Sequence, residues 1–263
     1  MCTLTLAWQV FPETPVVVAA NRDERRDRPA EPPSRTESNP SVVAPRDTRA
    51  GGTWIGYNDA GLFVGITNRW AGDAPTERSR GLLVADALRE TDARSAARLV
   101  EQSVDAHSYD GFNLVVADRT AAYLFEWDGR LRTVQLGPGV HVVVNAGAAL
   151  GGGGVVTDAF QIPDGPTDRV ERATEQAENA RAVRTALTPE PGESAAAWLD
   201  RAAAVLADHE FGVCVHENGY GTRSSSLIRL DDGGEEYRFA PGPPCETAYR
   251  RVGAAADTSE GQL

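Results

Sequence analysis

Hydrophobic and polar residues alternate at the start of the chain. From residue 4 to residue 10 every second position is apolar, which is the period of a β-strand. Two prolines then flank a turn, and residues 16–20 are apolar throughout. This pattern predicts a β-hairpin. Because the end of its second strand lies beside the start of its first, the hairpin brings residues 21–24 close to Cys2.

The rest of the chain divides into groups of strands and groups of helices. Residues 22–50, charged and rich in proline, predict a long surface loop across a site, and residues 52–67 predict a second hairpin. Residues 146–166 are rich in glycine and show no periodicity. Capping residues and apolar spacing predict four helices. Two begin near Ser79 and after Asp92, and two cover residues 167–187 and 192–208. Further strands are predicted over residues 112–117, 121–127, 130–136, 140–145, 211–216, 224–230 and 235–239.

The order of these elements predicts an α+β fold. Hairpins join the strands, and runs of this kind favour antiparallel sheets with segregated helices over a parallel sheet. Two antiparallel sheets between helix layers satisfy the order. Since no repeat or linker interrupts it, we predict one domain over residues 1–250, followed by a polar, frayed tail over residues 251–263.

The charge of the chain excludes several classes of partner. The net charge is −12, and all 26 basic residues are arginine. An acidic surface repels nucleic acid and anionic lipid. The composition favours adaptation to a salt-rich, halophilic cytoplasm, with a GC-rich genome as the alternative. No secretory signal or apolar run of bilayer length is present, so we expect a cytoplasmic protein without membrane insertion; the oligomeric state stays open.

Cysteine and histidine spacing predicts neither disulfides nor a metal site. Cys2, Cys214 and Cys245 are odd in number and widely separated, which fits a reducing compartment. The histidines, at positions 107, 141, 209 and 216, show none of the usual metal-ligand spacings. We therefore predict no metal and no bound cofactor.

Cys2 is the strongest candidate for chemistry. Removal of Met1 would leave a thiol and a free α-amine on one residue, and an α-amine with a pKa of about 8 can take the thiol proton. The alternative is a cysteine packed as a small hydrophobe. Near it, the carboxylate of Asp23 can hold the amine, and Arg22 can lower the thiol pKa, although both also fit an ordinary charged turn.

Other polar residues stand at strand ends. Asn68 and Asn145 follow apolar strands, where an amide either caps a turn or donates to an oxyanion. Arg223 begins a strand and can bind a carboxylate, although a surface position is equally ordinary. The glycines of segment 51–56 allow the backbone to pass close to a ligand or a neighbouring strand.

These segments together resemble the NRDE family, also called the transport and Golgi organisation protein 2 family. The combination of NRDE and GGTWIG blocks after an initial Met-Cys is specific to it. The matching segments are Met1-Cys2 and residues 19–24, 51–56, 67–68, 111–113 and 220–223.

The resemblance extends to Ntn (N-terminal nucleophile) hydrolases, similar to the cysteine acylases that cleave bile-salt and penicillin amides. It implies a four-layer αββα sandwich. In those acylases the cysteine attacks, an Asp and an Arg orient it, two Asn hold the oxyanion and a distant Arg supports the site. Carried onto this chain, the catalytic roles fall to Cys2, Asp23, Asn68, Asn145 and Arg223, and substrate-binding roles to Asn21, Arg22, Thr53, Trp54, Thr67 and Tyr220.

Two functions follow from the resemblance. The first is an N-terminal-cysteine amidohydrolase acting on a small amide or thioester with an anionic group. The alternative is a non-catalytic protein that binds haem or an acyl lipid in the same cleft, since some family members are linked to haem trafficking or acyl-CoA homeostasis. Under the alternative, a haem iron would take His107, His141, Cys214 or Cys2 as its ligand.

Overall fold

Two antiparallel β-sheets pack face to face in the computed structural model, which describes residues 2–70, 76–152, 155–162, 166–231 and 234–253. Helices cover the outer face of each sheet, so the layers run αββα as predicted. The helices are α1 (Arg80–Ala87), α2 (Ala93–Ala106), α3 (Thr167–Ala186) and α4 (Ala195–Ala207), and a 3-10 turn spans His209–Phe211.

The first sheet contains the N-terminal hairpin at its centre. Its strand order is β12-β11-β10-β1-β2-β14-β15-β16, with the short β13 paired to β14. The strands are β1 (Thr3–Phe11), β2 (Thr14–Arg25), β10 (Gly139–Val144), β11 (Gly147–Gly152), β12 (Val155–Phe160), β13 (His216–Glu217), β14 (Tyr220–Asp231), β15 (Gly234–Ala240) and β16 (Arg250–Arg251).

The second sheet runs in the order β3-β4-β5-β6-β7-β8-β9. Every pair in it is antiparallel, and consecutive strands are neighbours throughout. Its strands are β3 (Ala30–Arg35), β4 (Val42–Asp47), β5 (Ile55–Asn58), β6 (Phe63–Asn68), β7 (Phe112–Ala117), β8 (Ala122–Trp127) and β9 (Leu131–Gln135).

Alternation along β1 decides which side chains reach the space between the sheets. Leu4, Leu6 and Trp8 belong to the core between the two sheets, whereas Ala7 packs under α3 and α4. Burying one large aliphatic side chain of this kind contributes about 1.5–3 kcal/mol. By the same period of two, Cys2 lies on the inner face at the open end of the hairpin.

The predicted helix starts are confirmed by their caps. The Ser79 hydroxyl accepts a hydrogen bond from the Gly81 amide, and the Asp92 carboxylate accepts one from the Ser95 amide. Such side-chain caps satisfy amides that have no partner inside the helix. No helix in the described part of the chain combines the length and apolarity needed to span a bilayer.

Three sequence predictions were wrong. Residues 22–50 are not a surface loop, because β2 continues to Arg25 and β3 and β4 form an edge hairpin, where proline is tolerated. The glycine-rich stretch contains β11 and β12. Of residues 211–216 only His216 belongs to a strand, the two-residue β13, and the 3-10 turn ends at Phe211. Of the predicted tail, β16 includes Arg251, and residues 254–263 lie outside the described range.

Candidate active site

The start of β1, the end of β10 and the C-terminal part of β2 meet at Cys2. Thr3 pairs with Asn21 on β2 and with Val144 on β10, so the next residue of each neighbouring strand lies level with Cys2. The Cys2 backbone nitrogen donates to Asn145 Oδ1 at 2.9 Å. The Cys2 thiol donates to the main-chain oxygen of Asp23 at 3.6 Å. The fold therefore brings Cys2, Asp23 and Asn145 together.

Asp23 is buried and held by β14. Its carboxylate accepts a hydrogen bond of 2.6 Å from the Thr222 hydroxyl, and its main-chain oxygen accepts one of 3.2 Å from the Tyr220 hydroxyl. Burial raises the pKa of the Asp23 carboxyl, against the lowering effect of the Thr222 hydrogen bond. An activity that requires the ionised Asp23 carboxylate should therefore fall as the pH is lowered, and the fall should begin at a higher pH than for an ordinary aspartate.

Arg22 is positioned by Trp54. Its guanidinium carbon lies 4.2 Å from the centre of the indole ring, and Nη2 lies 3.6 Å from a Glu24 carboxylate oxygen. An arginine held on an aromatic face loses few conformations when it binds an anion. Burial lowers the pKa of Arg22, and the neighbouring Cys2 opposes that shift.

A cavity of about 610 Å³ opens beside Cys2. Arg28 on its wall donates to Asp47 through Nε at 2.8 Å, and Arg80 donates through Nη1 to the Gly111 carbonyl at 2.6 Å. The sequence did not indicate Arg28, Asp47 or Arg80 as cavity residues. The first two lay in the predicted loop, and Arg80 lay at the start of a predicted helix. The lining consists of Cys2, Arg22, Asp23, Glu24, Arg28, Asp47, Thr53, Trp54, Ile66, Asn68, Ser79, Arg80 and Gly81.

Glycine at position 52 lets two walls of this cavity touch. A Cβ there would lie 2.2 Å from the carbonyl carbon of Gly81, and the Thr53 amide donates to the Gly81 oxygen at 3.0 Å. The close approach foreseen for this glycine segment is thus to the start of α1. It places Thr53 and Trp54 against the helix that carries Arg80.

Asn68 and Thr67 lie at the end of β6. Asn68 is exposed and lines the cavity, whereas Thr67 is buried and lines a narrower recess of about 290 Å³ beside Cys2. Asn113, which was not assigned a role, donates to the Val144 carbonyl at 2.8 Å and to the Thr67 hydroxyl at 3.2 Å. These bonds join the two sheets directly behind Asn145.

Two other predicted residues lie outside this cavity. The Asn21 side chain donates to the main-chain oxygens of Leu206 and Val213, at 2.9 and 2.8 Å, so it attaches β2 to the α4 side. Arg223 is exposed at a bulge in β14 and lines an adjacent cavity of about 500 Å³. That second cavity shares Arg22 and Trp54 with the first.

Asn145 and Tyr220 face a further cavity, of about 820 Å³, under α3. Asn145 is buried, and its amide oxygen is already bonded to Cys2. Its amide nitrogen is the group that can donate to a substrate oxygen.

The fold also assembles four metal-ligating side chains that are not among the residues lining the Cys2 cavity. The ligand atoms of His209, Cys214, His216 and Cys245 all lie within 4.8 Å of one another. The fold thus groups two of the four histidines with two cysteines, a grouping that the sequence did not predict. Spacing could not reveal it, because Cys245 comes from a segment 29 residues beyond His216.

Solved structures place this architecture in a known class. The penicillin V acylase of Agrobacterium tumefaciens superposes with a TM-score of 0.54 at 14% identity, over 92% of this chain and 83% of the acylase. The C2A mutant of conjugated bile acid hydrolase from Clostridium perfringens gives 0.52 at 11% identity, over 95% and 92%. The protein has the Ntn-hydrolase fold.

The family follows from the sequence comparisons. A family model described as Transport and Golgi organisation 2 matches residues 1–240, and the chain belongs to that family. It is 30% identical over 242 residues to the Transport and Golgi organization protein 2 homolog of Bos taurus, covering 83% of both chains. The Homo sapiens homolog is 28% identical over 238 residues, again with 83% of each covered. The resemblance read from the sequence is confirmed.

Proposed function

We propose that the chain, once Met1 is removed, is an N-terminal-cysteine amidohydrolase that cleaves a small amide or thioester bearing an anionic group. The observation that carries this proposal is the setting of Cys2. Its nitrogen is bonded to Asn145 and its thiol to the Asp23 main chain, at the wall of an arginine-lined cavity. A cysteine packed only as a small hydrophobe would need none of these polar partners.

The proposed reaction begins with proton transfer. The Cys2 thiol gives its proton to its own α-amine, and Sγ attacks the substrate carbonyl carbon. The negative charge that develops on the carbonyl oxygen is stabilised by the side-chain amides of Asn68 and Asn145. The C–N or C–S bond then breaks, and the leaving group takes the proton held by the amine. Water attacks the resulting thioester and releases the acid and the thiol.

Names of structural relatives support the type of bond cleaved. They include a penicillin V acylase, a conjugated bile acid hydrolase and, at a TM-score of 0.51 and 12% identity, an N-acylethanolamine-hydrolyzing acid amidase ortholog of Caenorhabditis elegans. The bile acid hydrolase was solved as a C2A mutant, so that enzyme also carries a cysteine at position 2. At these identities the shared feature is the fold, and the extension of the chemistry to this chain is our proposal.

Charge on the neighbouring cavity supports an anionic substrate group. Arg22, Arg28 and Arg223 line it, against the single carboxylate of Glu31. Arg223 makes no ion pair with any residue in the described ranges, so its guanidinium is available to a carboxylate or phosphate. The cavity shares the Arg22–Trp54 wall with the Cys2 cavity, which supports a substrate whose anionic group lies next to the scissile bond.

The proposal is tested by covalent labelling of the purified protein with an acyl-type electrophile, followed by peptide mapping and intact-mass measurement. We expect Met1 to be absent and one label per chain, on Cys2. Labelling spread over Cys2, Cys214 and Cys245, or retention of Met1, would contradict an activated N-terminal nucleophile.

Labelling of Cys2 should depend on pH in a defined direction. Burial and the charge of Asp23 raise the pKa of the Cys2 thiol, and the N-terminal charge, the hydrogen bond to the Asp23 main chain and Arg22 act against them without reversing the shift. A raised pKa keeps the thiol neutral at pH 7, so the thiolate fraction grows as pH increases. The rate of iodoacetamide alkylation should therefore rise steadily between pH 7 and pH 9. A rate that is flat over this range would show that the thiolate is already formed.

Selectivity for an anionic group should depend on Arg223. Glutaryl-p-nitroanilide and valeryl-p-nitroanilide have acyl chains of the same length and differ in the terminal carboxylate. Arg223→Gln should reduce the preference for the glutaryl compound in kcat/KM about 10-fold, equivalent to about 1.4 kcal/mol of lost ion pairing. Arg94→Gln, an exposed arginine on α2, is the matched control and should leave the preference unchanged. An unchanged preference in Arg223→Gln would place the anionic group elsewhere.

The second candidate is a carrier of haem or an acyl lipid, which would use the same arginines for carboxylate or phosphate groups. The residues that line the Cys2 cavity include no histidine, and Cys2 is the one cysteine among them that could bind a haem iron. His141 is buried and its Nε2 lies 2.9 Å from the Gly137 oxygen, and Cys214 belongs to the other cluster. A haem titration without a shift of the Soret band at micromolar protein would remove the haem version.

A further inference from the structure

Two histidines and two cysteines converge where the loop after α4 meets the C-terminal segment. Cys214 Sγ lies 3.5 Å from Cys245 Sγ and 3.6 Å from His216 Nε2, and His216 Nε2 lies 3.1 Å from Cys245 Sγ. The rings of His209 and His216 are 5.2 Å apart. Each residue therefore points a ligand atom towards one common space.

The three separations among Cys214, His216 and Cys245 lie at, or within about 0.2 Å of, the edges of a metal tetrahedron, and the His209 ligand atom lies within 4.8 Å of the other three. With Zn–S near 2.3 Å and Zn–N near 2.0–2.1 Å, tetrahedral geometry sets ligand–ligand distances of about 3.3–3.8 Å. Two thiolates and two imidazoles form the donor set that favours zinc over magnesium, calcium or manganese, which prefer oxygen ligands. We propose that His209, Cys214, His216 and Cys245 bind one Zn²⁺ in a Cys2His2 site.

The backbone around the cluster is shaped to hold its ligands. Asp208 accepts a hydrogen bond from the Glu210 amide at 2.9 Å and so caps the 3-10 turn that carries His209. Gly212 follows in the left-handed conformation, with φ 64°, and turns the chain back towards Cys214. A residue with a side chain would be strained there. The turn thus brings His209, which precedes Gly212, and Cys214 and His216, which follow it, to the same side of the chain.

A carboxylate stands behind one of the histidines. Glu246 Oε1 lies 3.9 Å from Nδ1 of His216, the ring nitrogen opposite the one that faces the cysteines. Ligand histidines commonly pair their second nitrogen with a carboxylate, which fixes the ring and its tautomer. Closing by about 0.7–1.2 Å would bring the two atoms to hydrogen-bond distance and complete this arrangement.

Zinc at this position would be structural and would connect to the Cys2 site. The Val215 amide, between two ligands, donates to the Thr222 hydroxyl at 2.9 Å, and that hydroxyl donates to the Asp23 carboxylate. Four protein ligands leave no open position, which is typical of structural zinc. The ion would fasten the segment around Cys245 to the loop that supports Asp23.

A disulfide between Cys214 and Cys245 is the competing use of the same atoms. A disulfide requires an S–S distance near 2.05 Å and no histidine. The observed 3.5 Å and the two imidazoles favour the metal. Oxidation would also need an oxidant, whereas zinc binding releases only the two thiol protons.

The test measures zinc on the full chain purified with reductant and without chelator. We expect about one zinc per chain by elemental analysis, and cobalt exchanged into the site should give thiolate-to-metal absorption and intense tetrahedral d–d bands. Because Cys245 and His209 are exposed, Cys245→Ser and His209→Gln should fold and lose zinc affinity at least about 100-fold, with about 10-fold for Glu246→Gln. Cys2→Ser and His107→Gln are the controls and should retain full zinc.

Removal of the metal gives a second readout that does not involve activity. Chelation should lower the thermal midpoint of the wild type and leave that of Cys245→Ser unchanged, since zinc stabilises only the folded chain. The proposal would be overturned if the reduced wild type bound no zinc on titration. Full zinc in both ligand variants, or a Cys214–Cys245 disulfide that persists under reductant, would overturn it as well.

Discussion

Substitution of Cys2 by alanine is expected to lower kcat/KM for glutaryl-p-nitroanilide by about 10⁴-fold or more, because the attacking atom is removed. No neighbouring group replaces it. Among the residues lining the cavity, the other side chains are carboxylates, hydroxyls, amides, guanidinium groups and apolar groups, and no second thiol is present. The measurement is steady-state kinetics, with covalent labelling of the same preparation.

The controls separate loss of chemistry from loss of fold. Cys2 stands before the first strand, so its truncation leaves the β1–β2 pairing intact and the thermal midpoint should stay close to that of the wild type. Cys2→Ser keeps an N-terminal nucleophile of the same shape and should retain weak acylation. Hydrolysis by Cys2→Ala at the wild-type rate would contradict the enzymatic proposal and favour the carrier.

Substitution of Glu126 by alanine is expected to destabilise the fold by about 3 kcal/mol, because it removes the nearer carboxylate partner of a buried arginine and, among the described residues, leaves only Asp128, at 3.7 Å from Arg69. Arg69 Nη1 lies 2.9 Å from Glu126 Oε1, and their side chains are 3% and 6% exposed. The same Nη1 donates to Asn113 at 2.8 Å, and Nη2 donates to Gln161 at 2.6 Å. Chemical denaturation at a fixed ionic strength measures the free energy of unfolding.

Matched variants decide whether the loss comes from the missing carboxylate charge. Glu101→Ala removes an exposed carboxylate on α2 and should change the free energy of unfolding by less than about 0.5 kcal/mol. The double substitution Arg69→Met with Glu126→Leu removes both charges and should be less destabilising than Glu126→Ala alone. If the single and double variants lost equal stability, packing volume would be the cause instead of charge.

This ion pair also bears on the site. Arg69 follows Asn68 directly, and Asn113 joins its guanidinium to Thr67 and to the Val144 carbonyl beside Asn145. Part of any activity change in Glu126→Ala should therefore appear as weaker stabilisation of the oxyanion. The Glu126→Ala substitution should therefore lower kcat by a larger factor than it raises KM.

Local patterns in the sequence predicted much of the fold. The alternation in β1, the hairpin with β2 and the caps at Ser79 and Asp92 each depend on residues a few positions apart, and each was confirmed. The Asp128–Gly129 turn between β8 and β9 belongs to this group, with Gly129 at φ 100°. Short-range periodicity and turn chemistry are properties that a single segment expresses by itself.

The errors arose where long-range partners override local preference. The charged end of β2 is strand because β14 pairs with it, and Asp23 and Arg22 are buried there with partners from β14 and Trp54. The glycine-rich β11 and β12 exist because β10 offers an edge to pair with. Neither partner is visible within the segment itself.

By itself the sequence determined that a cysteine stands at the open end of the first hairpin, with Asn21 to Glu24 beside it. Only the tertiary structure decided which groups meet that cysteine and which cysteines meet histidines. Asn145 bonds to Cys2 from 143 residues away, and Cys245 approaches Cys214 from 31 residues away. Spacing along a chain fixes neighbours within a strand or turn, whereas the packing of sheets and helices fixes neighbours across them.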